Sequence, residues 1–224
     1  MQDPMTAIEL INEDIPPLKI EDTALKALAW MHEFHVSNLA VVKGKEFIGM
    51  ISEDELYDLD EPDAPIGSHR LTLIKPVLHS GQHVYDALRL MAELSLDVIA
   101  VTDENGKFLG SVTLPRLAEK LSRLAAVRSP GGILVLEVNN VDYSLSQISQ
   151  IVEGNDAKIL SCYVGSVPDS NKVEVTLKVN KDDLSRILQT FARYNYVVKA
   201  TYHQSSYEED MQQRYEEFMN YINM

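Results

Sequence analysis

The chain has 224 residues, 45% hydrophobic and 24% charged, with a net charge of −14 from 20 Lys and Arg against 34 Asp and Glu. That composition suits a folded protein with more than one core. An acidic surface repels nucleic-acid backbones and anionic lipid head groups, so neither is an expected partner. No run approaches the roughly 20 apolar residues that cross a bilayer, and the N-terminus does not read as a signal peptide. The single cysteine, Cys162, can form neither an internal disulfide nor a Cys-based zinc site, and reads as a small buried hydrophobe in a cytoplasmic protein.

In chain order, the first feature is a repeat. The segment from Thr23 returns from His83, an offset of 60 (83 minus 23). Ala27, Leu28, Met31, Ala40 and Val41 fall on Ala87, Leu88, Met91, Ala100 and Val101; one inserted residue later, Phe47-Ile48-Gly49 falls on Phe108-Leu109-Gly110. Apolar residues at i, i+3 and i+4 predict a helix in each copy, through Leu25, Leu28 and Ala29, and through Val84, Leu88 and Met91. Leu28 and Leu88 are expected to be equivalent core positions. Buried strands follow at Asn38–Val42 and Val98–Thr102, then a turn (Asn105-Gly106 in the second copy) and strands Phe47–Ile51 and Phe108–Val112. Ser52 and Thr113 are placed to cap a second helix. Two prolines, a glycine and a run of acids mark residues 58–67 as an exposed linker.

A duplicated β-α-β-β-α unit whose copies close on F-I-G-M-I-S-E-D-E-L and F-L-G-S-V-T-L-P-R-L resembles the CBS motif pair. The resemblance covers residues 5–126, with motif 1 at about 5–60 and motif 2 at about 70–126. It implies two motifs packed about a pseudo-twofold axis, with clefts that take AMP, ATP or S-adenosylmethionine. The family pattern sets a Ser or Thr before the second helix and an Asp three residues later. A carboxylate can accept both ribose hydroxyl protons, and the hydroxyl and helix N-terminus suit a phosphate. Here the first copy gives Ser52 and Glu55, one methylene longer; the second gives Thr113 and Arg116, a cation in the acceptor's place. Either hydroxyl also serves as a plain helix cap, and Arg116 as a surface ion pair. The family's proline before the strand core is replaced by Ala40 and Ala100, small enough to leave room for an adenine ring. Seven of the eleven residues from Glu53 to Asp63 are acidic. That field opposes a bare triphosphate, suits a neutral, adenosyl-sulfonium or metal-chelated ligand, and could equally be a solvated linker.

From Pro130-Gly131-Gly132 the pattern changes. Strand Ile133–Val138, a helix through Leu145, Ile148, Ile151 and Val152, strands 158–165 and 172–179, a helix through Leu184, Ile187, Leu188 and Phe191, and a last strand 196–202 give βαββαβ. This split-βαβ order over residues 130–205 resembles the ACT domain, a regulatory module that often binds amino acids. The glycine that such relatives carry between the first strand and first helix aligns with Tyr143, whose ring would fill the ligand space; an alignment shifted by one or two residues would instead let Asn139 or Asn140 contact a ligand through the side-chain amide. Tyr207, Met211, Tyr215, Phe218 and Ile222 give an amphipathic helix at 206–224. A CBS pair followed by an ACT-like domain is similar in architecture to bacterial acetoin-utilisation accessory proteins.

The expected fold is therefore mixed α/β (α+β). No metal spacing occurs among the six histidines, and no nucleophile elbow or phosphate loop is present. The expectation is a non-catalytic regulatory homodimer, not an enzyme, with an adenosyl ligand in the CBS cleft and the ACT-like domain passing the signal to a protein partner. The alternative is an assembly or adaptor module that keeps the folds without the ligands.

Overall fold

The repeat folds as a helix, two strands and a second helix in each copy, with the short β1 before the first. β1 (Leu18–Lys19), α1 (Ala24–Phe34), β2 (Asn38–Lys43), β3 (Glu46–Ser52) and α2 (Glu53–Tyr57) are followed by α3 (Val84–Leu94), β4 (Val98–Thr102), β5 (Phe108–Thr113) and α4 (Leu114–Leu124). The computed structural model describes residues 5–12 and 14–202, so the stripe read at 206–224 lies outside the described residues. Local chemistry sets the matching helix ends. The Thr23 hydroxyl accepts from Lys26 N–H at 3.2 Å, and the His83 ring and Asp86 carboxylate form a reciprocal capping box. Both helices stop one residue later on a left-handed residue, His35 (φ 54°) and Ser95 (φ 53°).

In α1 the buried stripe is not the one the spacing suggested; in α3 Val84 and Met91 are buried as expected, and Ala87 takes the place of Leu88. Ala24, Ala27 and Met31 face the core in α1, and Val84, Ala87 and Met91 do so in α3. Leu28 is half-buried and Leu88 is 37% exposed, while Leu25 is 50% exposed. The repeat equivalence survives, but Leu28 and Leu88 are rim positions rather than core. An i, i+3, i+7 stripe of smaller residues lets each helix lie close on its sheet.

The two copies meet in one of their two buried clusters. Val98 and Ala100 of β4 belong to the same cluster as Leu39, Val41 and Met50. The segments that lead into each copy are exchanged: Ala7 and Leu10 pack into the core around α3, and Leu71 and Leu73 pack on that of α1. Met50 N–H donates to the Ile74 carbonyl at 2.7 Å, as Asn12 N–H donates to Ser111 at 2.8 Å. Gly49 and Gly110 permit these approaches. A Cβ on Gly49 would sit 2.7 Å from Leu73 Cβ and 2.9 Å from the Ile74 carbonyl; one on Gly110 would meet the Ile11 side chain. Where β2 and β4 begin, Asn38 crosses between copies. Its amide donates to the Val98 carbonyl at 2.6 Å and its oxygen accepts from Asp97 N–H at 3.1 Å; Asp97 in turn accepts from Ser37 N–H at 2.8 Å.

The chain divides into two units, the boundary falling between Leu121 and Ser122. The second contains β6 (Ile133–Asn139), α5 (Leu145–Glu153), β7 (Ile159–Ser166), β8 (Lys172–Val179), α6 (Ser185–Arg193) and β9 (Val197–Tyr202). Its antiparallel sheet has the order β7-β8-β6-β9, the ferredoxin-like arrangement of a βαββαβ chain. Leu134, Leu136, Val175 and Leu177 alternate onto the face that meets Ile148, Ile151, Ile187 and Phe191. Cys162 joins this cluster half-buried, and burial raises its thiol pKa, consistent with a packing role.

Candidate functional site

The end of β3 places Ser52 as the cap of α2, its hydroxyl accepting from Glu55 N–H at 3.2 Å. Helix α2 is only five residues long and opens on Glu53, Asp54 and Glu55. Three carboxylates in its first turn oppose a phosphate there, so the reading of a helix N-terminus suited to phosphate does not hold for this copy. The Glu55 side chain is already engaged. One carboxylate oxygen accepts the backbone N–H of Thr72, in the segment that leads into the second copy. Nothing in the residues just after the linker signals that the Thr72 backbone will meet a side chain 17 residues earlier.

The second copy is built alike and charged differently. The Thr113 hydroxyl accepts from Arg116 N–H at 3.3 Å, and the Arg116 guanidinium pairs with Glu119 at 2.9 Å. A guanidinium carries only donors, so it can accept neither a ribose hydroxyl nor a backbone N–H. The surface ion pair is the role that the structure gives Arg116.

Ala40 and Ala100 are 1% and 0% exposed and sit within the shared core. The small side chains let the strands of the two copies pack against each other.

In the second unit, Tyr143 lies half-buried against the core, and burial, with Cys162 nearby, raises its hydroxyl pKa. Beside the preceding turn is a cavity of about 320 Å³, lined by Glu137, Asn139, Asp142, Lys172, Tyr194 and Tyr196. Its polar groups are largely paired: Lys172 with Glu137, Asn139 with Asp142 at 2.9 Å, and Tyr196 with Gln147 at 2.7 Å. Among the described residues, no cluster of three His, Cys, Asp or Glu could hold a metal ion, and no helix is long and apolar enough to cross a membrane.

Residues 74–123 match the family model described as the CBS domain. This stretch is the second copy, and the first copy repeats its helix and its pair of antiparallel strands. The matched stretch runs from the end of the linker through most of α4, and the 60-residue repeat carries the same elements into the first copy. Among solved structures, the chain is similar to a CBS domain pair/ACT domain protein from Thermotoga maritima, at 23% identity over 53% of this chain and 98% of that one, with a TM-score of 0.48. It is also similar to CBSX2 in complex with AMP (21%, covering 53% and 96%, TM-score 0.45). A third is the CBS domains of a transcriptional regulator from Streptococcus pneumoniae (18%, covering 52% and 99%, TM-score 0.44). Each likeness spans about half of this chain.

Proposed function

We propose that the chain is a non-catalytic regulator whose CBS pair takes an adenosyl ligand at the first copy and whose ACT-like second unit assembles subunits. One observation carries this reading: at the end of β3 the Ser52 hydroxyl caps α2 on the Glu55 N–H, and the Glu55 carboxylate reaches the segment that leads into the second copy. Such a pair suits the two hydroxyls of a ribose. The site is asymmetric, because Arg116 stands where the second copy would need an acceptor. The acids at 53–55 favour a neutral or cationic ligand, so S-adenosylmethionine fits better than AMP or ATP.

A thermal-shift panel of S-adenosylmethionine, AMP, ADP, ATP and NAD tests this. A ligand present at 100 times its dissociation constant stabilises by about 2.7 kcal/mol. Glu55→Ala is expected to weaken binding far more than Arg116→Ala, and equal effects would count against the assignment.

Subunit assembly is supported by β7. It is an edge strand of eight residues with no charge and no proline, and Leu160, Tyr163 and Val164 are exposed along it. Such an edge is open to pairing with another chain. Tyr143 and the acids Glu137 and Asp142 stand against an amino-acid carboxylate in the same unit; calorimetry with the twenty amino acids would overturn this reading if one bound at micromolar affinity. A second reading, an adaptor without a ligand, is favoured by the prior engagement of Glu55 and Arg116. The absence of any thermal shift across the panel would select it.

A further inference from the structure

We infer that the second unit holds a site for a small phosphate monoester bearing a flat ring, in a cavity at the start of β6, at the far end of that strand from Tyr143. The cavity is about 420 Å³, the size of a ligand pocket, and its walls include Val127, Arg128, Pro130, Ile133, Lys178 and Tyr202. Strand register builds it. Ile133 of β6 lies opposite Lys178 of β8 on one side and Tyr202 of β9 on the other, so the three form a row on one face of the sheet. The adjacent Leu134 and Leu177 point toward α5 and α6, which puts this row on the face away from those helices. The segment before β6 supplies the rest and is held in place. Val127 N–H donates to the Ser122 carbonyl at 3.1 Å, and the Ser161 hydroxyl donates to the Ala125 carbonyl at 2.9 Å. Gly131 turns at φ 121°, where a Cβ would run into the Val179 carbonyl.

Charge and apolar surface select the ligand. The chain carries a net charge of −14, yet among the described residues no acid lines this cavity and two cations do. Elsewhere on the same face Lys172 is neutralised by Glu137, and Glu174 by Lys199. Lys178 gives one N–H to the Gly131 carbonyl and keeps two further donors. The Arg128 guanidinium adds a donor fork that matches phosphate oxygens. Two positive charges at one mouth suit a dianion better than a single carboxylate. Beside them Val127 is 65% exposed and Tyr202 60%, and with Ile133 and Pro130 they form an apolar wall against which a ring can stack.

Phenyl phosphate is the probe, followed through the amide chemical shifts of the full-length chain. Inorganic phosphate supplies the charge without the ring, and phenol the ring without the charge. Phenyl phosphate is expected to bind with a dissociation constant on the order of 0.1–1 mM, and either part alone about tenfold more weakly or worse. The shifts are expected at residues 127–133, Lys178 and Tyr202. Arg128 is exposed, so Arg128→Gln leaves the fold intact and is expected to weaken binding about tenfold. Tyr202→Leu is expected to weaken it about threefold. No saturable shift with phenyl phosphate would overturn the site, as would inorganic phosphate binding equally well or Arg128→Gln binding like the wild type. Shifts centred on Ser52 and Glu55 would place the probe in the other unit and overturn it too.

Discussion

Met31 and Met91 are 1% and 2% exposed at the same place in the two copies. Truncating either to alanine removes buried contacts that the packed surroundings cannot fully reclaim, at a cost of about 2–5 kcal/mol. Leu28→Ala and Leu88→Ala remove partly solvated side chains and are expected to cost about 1 kcal/mol or less. Urea midpoints of the four variants separate the two classes; a loss at Leu88 equal to that at Met91 would contradict the packing described. The difference also explains why a residue-level reading of the repeat misplaced the core. Periodicity marks which helical positions are apolar, and both the Leu28 and Met31 stripes satisfy it. Which one faces the sheet depends on how close the helix lies, and the small Ala24 and Ala27 decide that only once the sheet is present.

The exchanged leading segments are held by close approach, and both glycines are exacting. Gly49→Ala would drive a methyl into the Ile74 carbonyl and the Leu73 Cβ, which cannot turn away, at about 1–3 kcal/mol. Gly110→Ala would drive one to 2.3 Å from Cγ2 of Ile11, a branched side chain stiff at χ1 and packed on the core, and is expected to cost about as much. Thermal unfolding of the two variants checks this; wild-type stability in either would contradict the packing described. At the edge of the other sheet, Tyr163→Lys places a charge mid-strand, and two such strands paired about a twofold axis would set like charges close together. Analytical ultracentrifugation is expected to show a lighter species with unchanged circular dichroism; unchanged mass would remove β7 from the interface. The strands themselves were legible, because alternation and turn residues such as Asn105-Gly106 mark them locally. The Glu55 to Thr72 contact was not, because it joins a helix cap to an irregular linker, where no period operates.

Each unit has its own interior: one set of clusters is built around α1 and α3, the other around α5 and α6. A destabilising change in one should leave the other folded, so unfolding of the whole chain need not be two-state. Phe191 is wholly buried and meets Tyr196 edge-on at 5.5 Å. Phe191→Ala is expected to cost the second unit about 3–5 kcal/mol and to split the calorimetric transition, moving one component down and leaving the other in place. A single transition shifted as a whole would show that the units unfold together. At this scale the sequence was most informative: the duplication, the change of pattern at Pro130 and the βαββαβ order are long-range regularities that survive local misreadings such as Leu28.

Asn38 has a consequence for how such a molecule came to be. Its amide reaches across to the backbone at Val98, and the residue at the matching place in the other copy is that same valine, which has no polar group to return the gesture. The neighbouring pair repeats the bias, with Asp97 answering Ser37. Two identical ancestral halves could have met any twin, including one from a separate chain. These halves have become a left and a right hand. A chain built from two first copies would bring one asparagine against another, and one built from two second copies would bring together two aspartates with no serine to receive them. The division of labour along this seam makes the duplication hard to reverse, and lets each half drift while the partnership holds.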